Sequence, residues 1–129
     1  MDSLRRKSIG SSFVVAGALL LACGAATAQQ LSPEEVAQQA GSVKGTARAC
    51  EIDTRTFDER VSALFKHMET SGASSSKLMD SYKEAALKSE HQQRTQPQVA
   101  CNDFKELFGA FEINSPTWKP EQGWKGQGL

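Results

Sequence analysis

The sequence predicts an all-α chain: a small up-down-up-down four-helix bundle with one disulfide linking helix 1 to helix 4, preceded by a cleaved signal peptide. Three observations predict it. Apolar residues recur at intervals of three and four along separate stretches, each bounded by capping or breaking residues. β-branched residues are sparse and no alternating run occurs, which argues against a sheet. The N-terminus has the zones of an export signal, so the cysteines left in the mature chain are expected to pair.

The signal is read in "MDSLRRKSIGSSFVVAGALLLACGAATAQQ". Basic Arg5, Arg6 and Lys7 precede an apolar run of 11 residues, Phe13 to Cys23, followed by small residues. A membrane-spanning helix needs roughly 20 apolar residues, so the run is too short to span. Ala26 and Ala28 form an A-x-A site, which places cleavage after residue 28 and starts the mature chain at Gln29. A rival reading takes "LLAC" as a lipobox, with Cys23 lipidated and the protein anchored in the envelope. A third takes Arg5 and Arg6 as a twin-arginine signal, although Ser8 stands where that motif has an aromatic. All three put the folded domain outside the reducing cytosol, in the periplasm or beyond. The expected organisation is a signal peptide over 1–28, a helical domain over 29–113 and a tail over 114–129.

Helix 1 opens at "LSPEEV", where Ser32 is the N-cap, Pro33 fits the first helical position and Glu35 completes a capping box. Val36, Ala40, Val43, Ala47 and Cys50 fall on one face. Beside them Ala37, Gly41, Gly45 and Ala49 form a ridge of small residues. Two glycines inside a helix cost about 1 kcal/mol each, so close approach of a neighbour is expected to offset them, with bulky side chains such as phenylalanine fitted against the ridge. Lys44 and its polar surroundings exclude a membrane-dimer reading of "GSVKG".

Helix 2 follows "EIDT", with Asp53 or Thr56 as cap and Glu59 closing a box from Thr56. Its apolar set is Phe57, Val61, Leu64, Phe65 and Met68, and Gly72 ends it. In helix 3, Ser76 or a neighbouring serine caps "KLMDSYKEAALKSEHQQ", with Leu78, Met79, Tyr82, Ala85 and Ala86 facing in. Pro97 breaks the pattern or starts the next helix. Helix 4 carries Cys101, Phe104, Leu107, Phe108 and Phe111. Short connections favour antiparallel neighbours, which brings the end of helix 1 and the start of helix 4 to the same end of the bundle. Cys50 is therefore expected to bond Cys101. Closing a loop of about 50 residues stabilises by about 4 kcal/mol in the chain-entropy model.

Charge and motif content bear on function. From residue 29 onward 12 Lys plus Arg stand against 14 Asp plus Glu, a formal charge of −2 with no basic stripe, so nucleic acid is not an expected partner. His91 faces water and His67 falls on the flank of its helix's apolar face, too far from His91 to share an ion, so no metal site or cofactor is expected. No H-E-x-x-H, G-x-S-x-G, C-x-x-C-H or phosphate-cradling loop occurs. The acid pairs Asp58/Glu59 and Asp80/Glu84 read as solvated charges, and Glu84/Lys88 as surface support. The chain is not expected to be an enzyme.

The tail, "INSPTWKPEQGWKGQGL", holds both tryptophans among residues that forbid regular helix. Trp118 is expected to pack on the bundle, and Trp124 to stay free as the anchor of a docking site; both are the candidate partner-docking residues. In architecture alone the chain resembles small exported helical proteins with one cross-helix disulfide, such as secretin pilotins, immunity proteins against periplasmic toxins and acid-stress chaperones. That resemblance implies action by binding proteins. The expected function is a non-catalytic binding or accessory protein of the bacterial cell envelope with an envelope protein as partner. The alternatives are a small-ligand carrier, with a cavity under the ridge of helix 1, and an enzyme with an unrecognised site.

Overall fold

The structure is a computed structural model that describes residues 31–125. The signal segment, its A-x-A site and Cys23 lie outside the described residues. Among the described residues there are four α-helices and no strand: α1 Pro33–Ala49, α2 Arg55–Met68, α3 Ser75–Thr95 and α4 Cys101–Ala110. Single 3-10 turns follow at Glu69–Ser71, Glu112–Asn114 and Pro120–Gln122. No described helix is long and apolar enough to cross a membrane.

Local chemistry sets the helix ends. The Ser32 hydroxyl accepts from the Glu35 N–H while the Glu35 carboxylate accepts from the Ser32 N–H at 2.9 Å, the expected capping box. The box expected from Thr56 does not form, because α2 already starts at Arg55 with Thr54 at the cap. Asp53 folds onto the entry instead, accepting the Arg55 N–H and its guanidinium. Gly72 adopts φ 96° after the 3-10 turn and ends that segment as expected. Ser74, the neighbour of Ser76, caps α3. Pro97 does not start α4; it lies in the connection, and α4 begins at Cys101 with Ala100 as its N-cap.

The closest packing joins α1 to α3. Gly41 lies against Tyr82 and Ala85, and Gly45 against Ala86, Ser89 and Glu90, so the two helices run in the same direction. The ridge thus receives the backbone of α3 and not phenylalanine side chains. A Cβ on Gly41 would meet the Tyr82 carbonyl and come within 2.7 Å of the Ala85 Cβ, and one on Gly45 would come within 2.7 Å of the Glu90 nitrogen. Small hydroxyls close the same seam. Thr46 and Ser89 both donate to the Ser42 carbonyl, at 3.0 and 2.9 Å.

The core fills the other side of this pair with Val36, Ala40, Val43 and Ala47 from α1, Phe57, Val61, Leu64 and Phe65 from α2, Leu78, Tyr82 and Ala86 from α3, and Phe104 and Phe108 from α4. Met68, Met79 and Ala85 are half-buried. Leu107, expected to face in, is 47% exposed: α4 is short and buries only the narrow stripe of Phe104 and Phe108. Cys50 caps the end of α1 and bonds Cys101, the first residue of α4, with a Cα–Cα distance of 5.4 Å inside the usual range.

Past α4 the chain lies back on the helices. Phe111, Ile113 and Trp118 are buried. Arg60 on α2 donates through one nitrogen to the carbonyls of Ile113, at 2.8 Å, and Ser115. Asn114 donates to the Phe108 carbonyl at 2.8 Å, stopping α4.

Candidate functional site

The cysteine pair and the tail were the sequence-derived sites, and the structure treats them differently. Cys50 and Cys101 form the expected disulfide, with Cys101 exposed and Cys50 half-buried. The segment leading into Cys101 is positioned by a residue that sequence reasoning passed over. Gln93 on α3 is 5% exposed, and its amide accepts from the Gln98 N–H at 2.9 Å and donates to the Val99 carbonyl at 2.7 Å. Those bonds hold the connection in an extended turn beside Cys50. In the sequence, the only hint was a glutamine at the end of an inward stripe running Leu78, Tyr82, Ala86, Gln93.

Trp118 packs as expected, with its indole N–H on the Gly123 carbonyl at 3.2 Å. The expectation of a free Trp124 is overturned. Its ring meets Phe57 and Phe111 edge-on at 6.2 and 6.3 Å between centroids, and its N–H donates to the Gln39 amide oxygen at 3.0 Å. Half-buried aromatic surface finds a cover close by when the chain reaches one, because the apolar ring is disfavoured in water. Lys125 then pairs with Glu112 at 3.5 Å.

Asp58, read from the sequence as a solvated charge, sits at a junction of three helices. It accepts from the Tyr82 hydroxyl of α3 at 2.7 Å and pairs with Lys44 of α1 at 2.9 Å, while the Lys44 ammonium lies 5.4 Å from the centre of the Tyr82 ring. Burial pushes the Tyr82 hydroxyl well above the ordinary tyrosine range, and the bond to Asp58 and its charge act in the same direction. This network locks the helices to one another: Lys44 and Tyr82 both meet one Asp58 oxygen and the Thr54 hydroxyl donates to the other, which suits a structural joint. His67 and His91 are both exposed. Among the described residues no group of three His, Cys, Asp or Glu side chains converges as a metal site would require.

Opposite the core, α1 and α3 leave a shallow groove of about 350 Å³ lined by Gln38, Ser42, Ser81, Lys88, Ser89 and Gln92, with Glu34 and Glu84 at its sides. It continues past Gln39 and Thr46 to Gln98. The close approach at Gly41 and Gly45 makes the groove shallow, so its floor is helix backbone and hydroxyls and its walls are long amides. One end is tied by Glu34, which accepts from Ser81. Towards the other, Glu90 of α3 holds both Arg48 of α1 and Arg94. Its carboxyl is held below the usual carboxylate range by the bond from Arg94 first, with Arg48 adding to this and burial opposing it. Glu84 and Lys88 form no ion pair; the pair four apart that closes on α3 is Glu90–Arg94. The place expected to hold a carrier's cavity, under the ridge of α1, is filled by α3. The groove was legible only in part: Ser81, Ala85 and Ser89, spaced by four, are the small-residue complement of the ridge, but nothing local says which side of that contact remains open.

Chemically, the groove offers the amides and hydroxyl of Gln38, Ser42 and Gln92 between the charged Glu34, Glu84 and Lys88, and the former can bond peptide groups laid across it. The chain matches no family model, no curated protein and no solved structure.

Proposed function

We propose that the protein is exported to the bacterial cell envelope, loses residues 1–28, folds as an up-down-up-down bundle and works as a non-catalytic binding or accessory protein through contacts with another envelope protein. The α1–α3 groove carries this reading. It is a long face of two helices that the tail touches at Gln39 through Trp124, and its stretch over Gln38, Ser42 and Gln92 presents amides and a hydroxyl that can both donate and accept. The signal pattern and the Cys50–Cys101 bond support the compartment, since such bonds persist in oxidising spaces.

Site-specific photo-crosslinking in intact cells tests the contact face. A probe at Gln92 should give a discrete adduct that a probe at exposed Lys105 on α4 does not, and Ser42→Arg, which fills the groove, should abolish it. Equal adducts from both positions would remove the groove from consideration. Intact mass tests the processing: protein released by osmotic shock should begin at Gln29, whereas a diacylglyceryl-modified Cys23 would establish the anchored form.

A further inference from the structure

The two tryptophans of the tail are held in different ways. Trp118 is buried and its indole bond closes within the tail, on the Gly123 carbonyl. Trp124 is half-buried, and its aromatic and hydrogen-bond contacts belong to other parts of the chain: Gln39 on α1, Phe57 on α2 and Phe111 beyond α4. Between them stands Gly123 at φ 71° and ψ −165°, a conformation open essentially to glycine alone. Among the described residues, and its chain neighbours aside, no atom comes within 4 Å of the position where a side chain on it would start. After Trp124 comes the Lys125–Glu112 pair, whose side chains are 54% and 48% exposed, a kind of contact that holds weakly. The tail is thus anchored firmly up to Gly123 and lightly after it.

We propose that Trp124 and Lys125 form a strap that opens just beyond the Gly123 carbonyl, so that the Trp118 turn and its indole bond stay packed, and that the uncovered socket receives an aromatic side chain of a partner polypeptide. Opening leaves the rings of Phe57 and Phe111 without cover and the Gln39 oxygen without its donor. A tryptophan on an incoming segment restores both at once, since it repeats the group now seated there. Gln39 also lines the groove, so a segment lying along α1 and α3 reaches the socket without crossing another element. The identity of the socket's occupant rests on the α1–α3 face being the contact surface; the opening of the strap does not.

Indole hydrogen exchange, followed by NMR on protein expressed as the full chain with no partner added, tests the strap. The Trp124 N–H should exchange at least about tenfold faster than the Trp118 N–H while the helix amides stay protected. Equal protection of the two indoles overturns it. The socket is tested with the synthetic peptide KPEQGWKGQGL, residues 119–129 of this chain, added to Trp124→Ala protein. Saturable shifts of the Phe57 and Phe111 ring signals are expected, absent with the peptide's tryptophan replaced by alanine. Binding to the unmodified chain should be at least about tenfold weaker, because its own Trp124 competes at high effective concentration. Folded Trp124→Ala protein that ignores the peptide overturns the socket, and failure of that variant to fold overturns the strap, since Trp124 would then be part of the core. Loss of the cross-linked adduct alone would leave both measurements standing and count against the contact face only.

Discussion

The carbonyl oxygen of Ala86 on α3 occupies the space that a side chain on Gly45 of α1 would need. Gly41 meets the Tyr82 carbonyl in the same way one turn earlier. The parallel helices therefore touch through backbone, and the glycines' cost in helix propensity is offset by the area and hydroxyl bonds that this approach brings together.

Gly45→Ala should force the helices apart and destabilise by about 1–3 kcal/mol or more. Gly109, exposed near the end of α4, has no described atom beyond its own helix backbone and chain neighbours within 4 Å of its would-be Cβ, so Gly109→Ala should stabilise by about 0.5–1 kcal/mol. Thermal melts of the two variants should move in opposite directions. Equal shifts would refute the backbone contact.

Reduction of the Cys50–Cys101 bond, which spans 51 residues, should cost about 4 kcal/mol, a large share of the stability of a small domain. The melting temperature with and without reductant measures it, and non-reducing peptide maps should recover this one cross-linked pair. Free thiols in folded exported protein would contradict the pairing.

Replacing Gln93 by leucine removes the amide that holds Gln98 and Val99. The cost should be about 1–2 kcal/mol, because the freed groups near the surface regain only part of their bonding from water. Hydrogen exchange should accelerate first at the Gln98 amide. Unchanged protection there would show that the connection is held by the disulfide alone.

The two tryptophans should contribute unequally to stability. Trp118→Ala, at a site 8% exposed, should cost about 3 kcal/mol. Trp124→Ala should cost about 1 kcal/mol, the smaller loss expected for a half-buried ring. Truncation after Glu112 should destabilise more than either, since it also removes Ile113 and the carbonyls bound by Arg60. Denaturant titrations rank the three, and a larger loss for Trp124→Ala than for Trp118→Ala would reverse the order.

Two groups give stability a pH dependence at opposite ends. The Glu90 carboxyl, lowered chiefly by Arg94, contributes stability that is present above the ordinary glutamate range and is lost as pH falls through its folded value. The deficit of Glu90→Gln against the unmodified chain should therefore shrink below about pH 4. Tyr82, raised chiefly by burial, contributes stability that is complete below the ordinary tyrosine value of about 10 and is lost as pH rises above it. Tyr82→Phe should flatten the alkaline side of the stability profile. Parallel profiles for variant and unmodified chain would rule out the corresponding group.

Several features could be read from residue order because their physics is local. The Ser32–Glu35 capping box, the stop at Gly72, the inward stripe of α1 and the set Phe57, Val61, Leu64 and Phe65 all depend on neighbours within a turn or two of helix. The Cys50–Cys101 pairing followed from counting helices between two cysteines. Leu107 was misjudged because periodicity marks a face without showing whether another element is long enough to cover it.

By itself, then, the sequence determined the helices, most of their inward faces and the disulfide, since capping, helical spacing and chain connectivity act over short range or through a simple constraint. Only the tertiary structure decided that the glycine ridge meets α3 backbone, that Gln93 seats the approach to Cys101, that Asp58 joins Lys44 and Tyr82, and that Trp124 finds Gln39 and its aromatic socket. Each of these contacts joins residues on different elements. Their free energy depends on which surfaces remain uncovered after the helices have packed, and that is a property of the assembled shape.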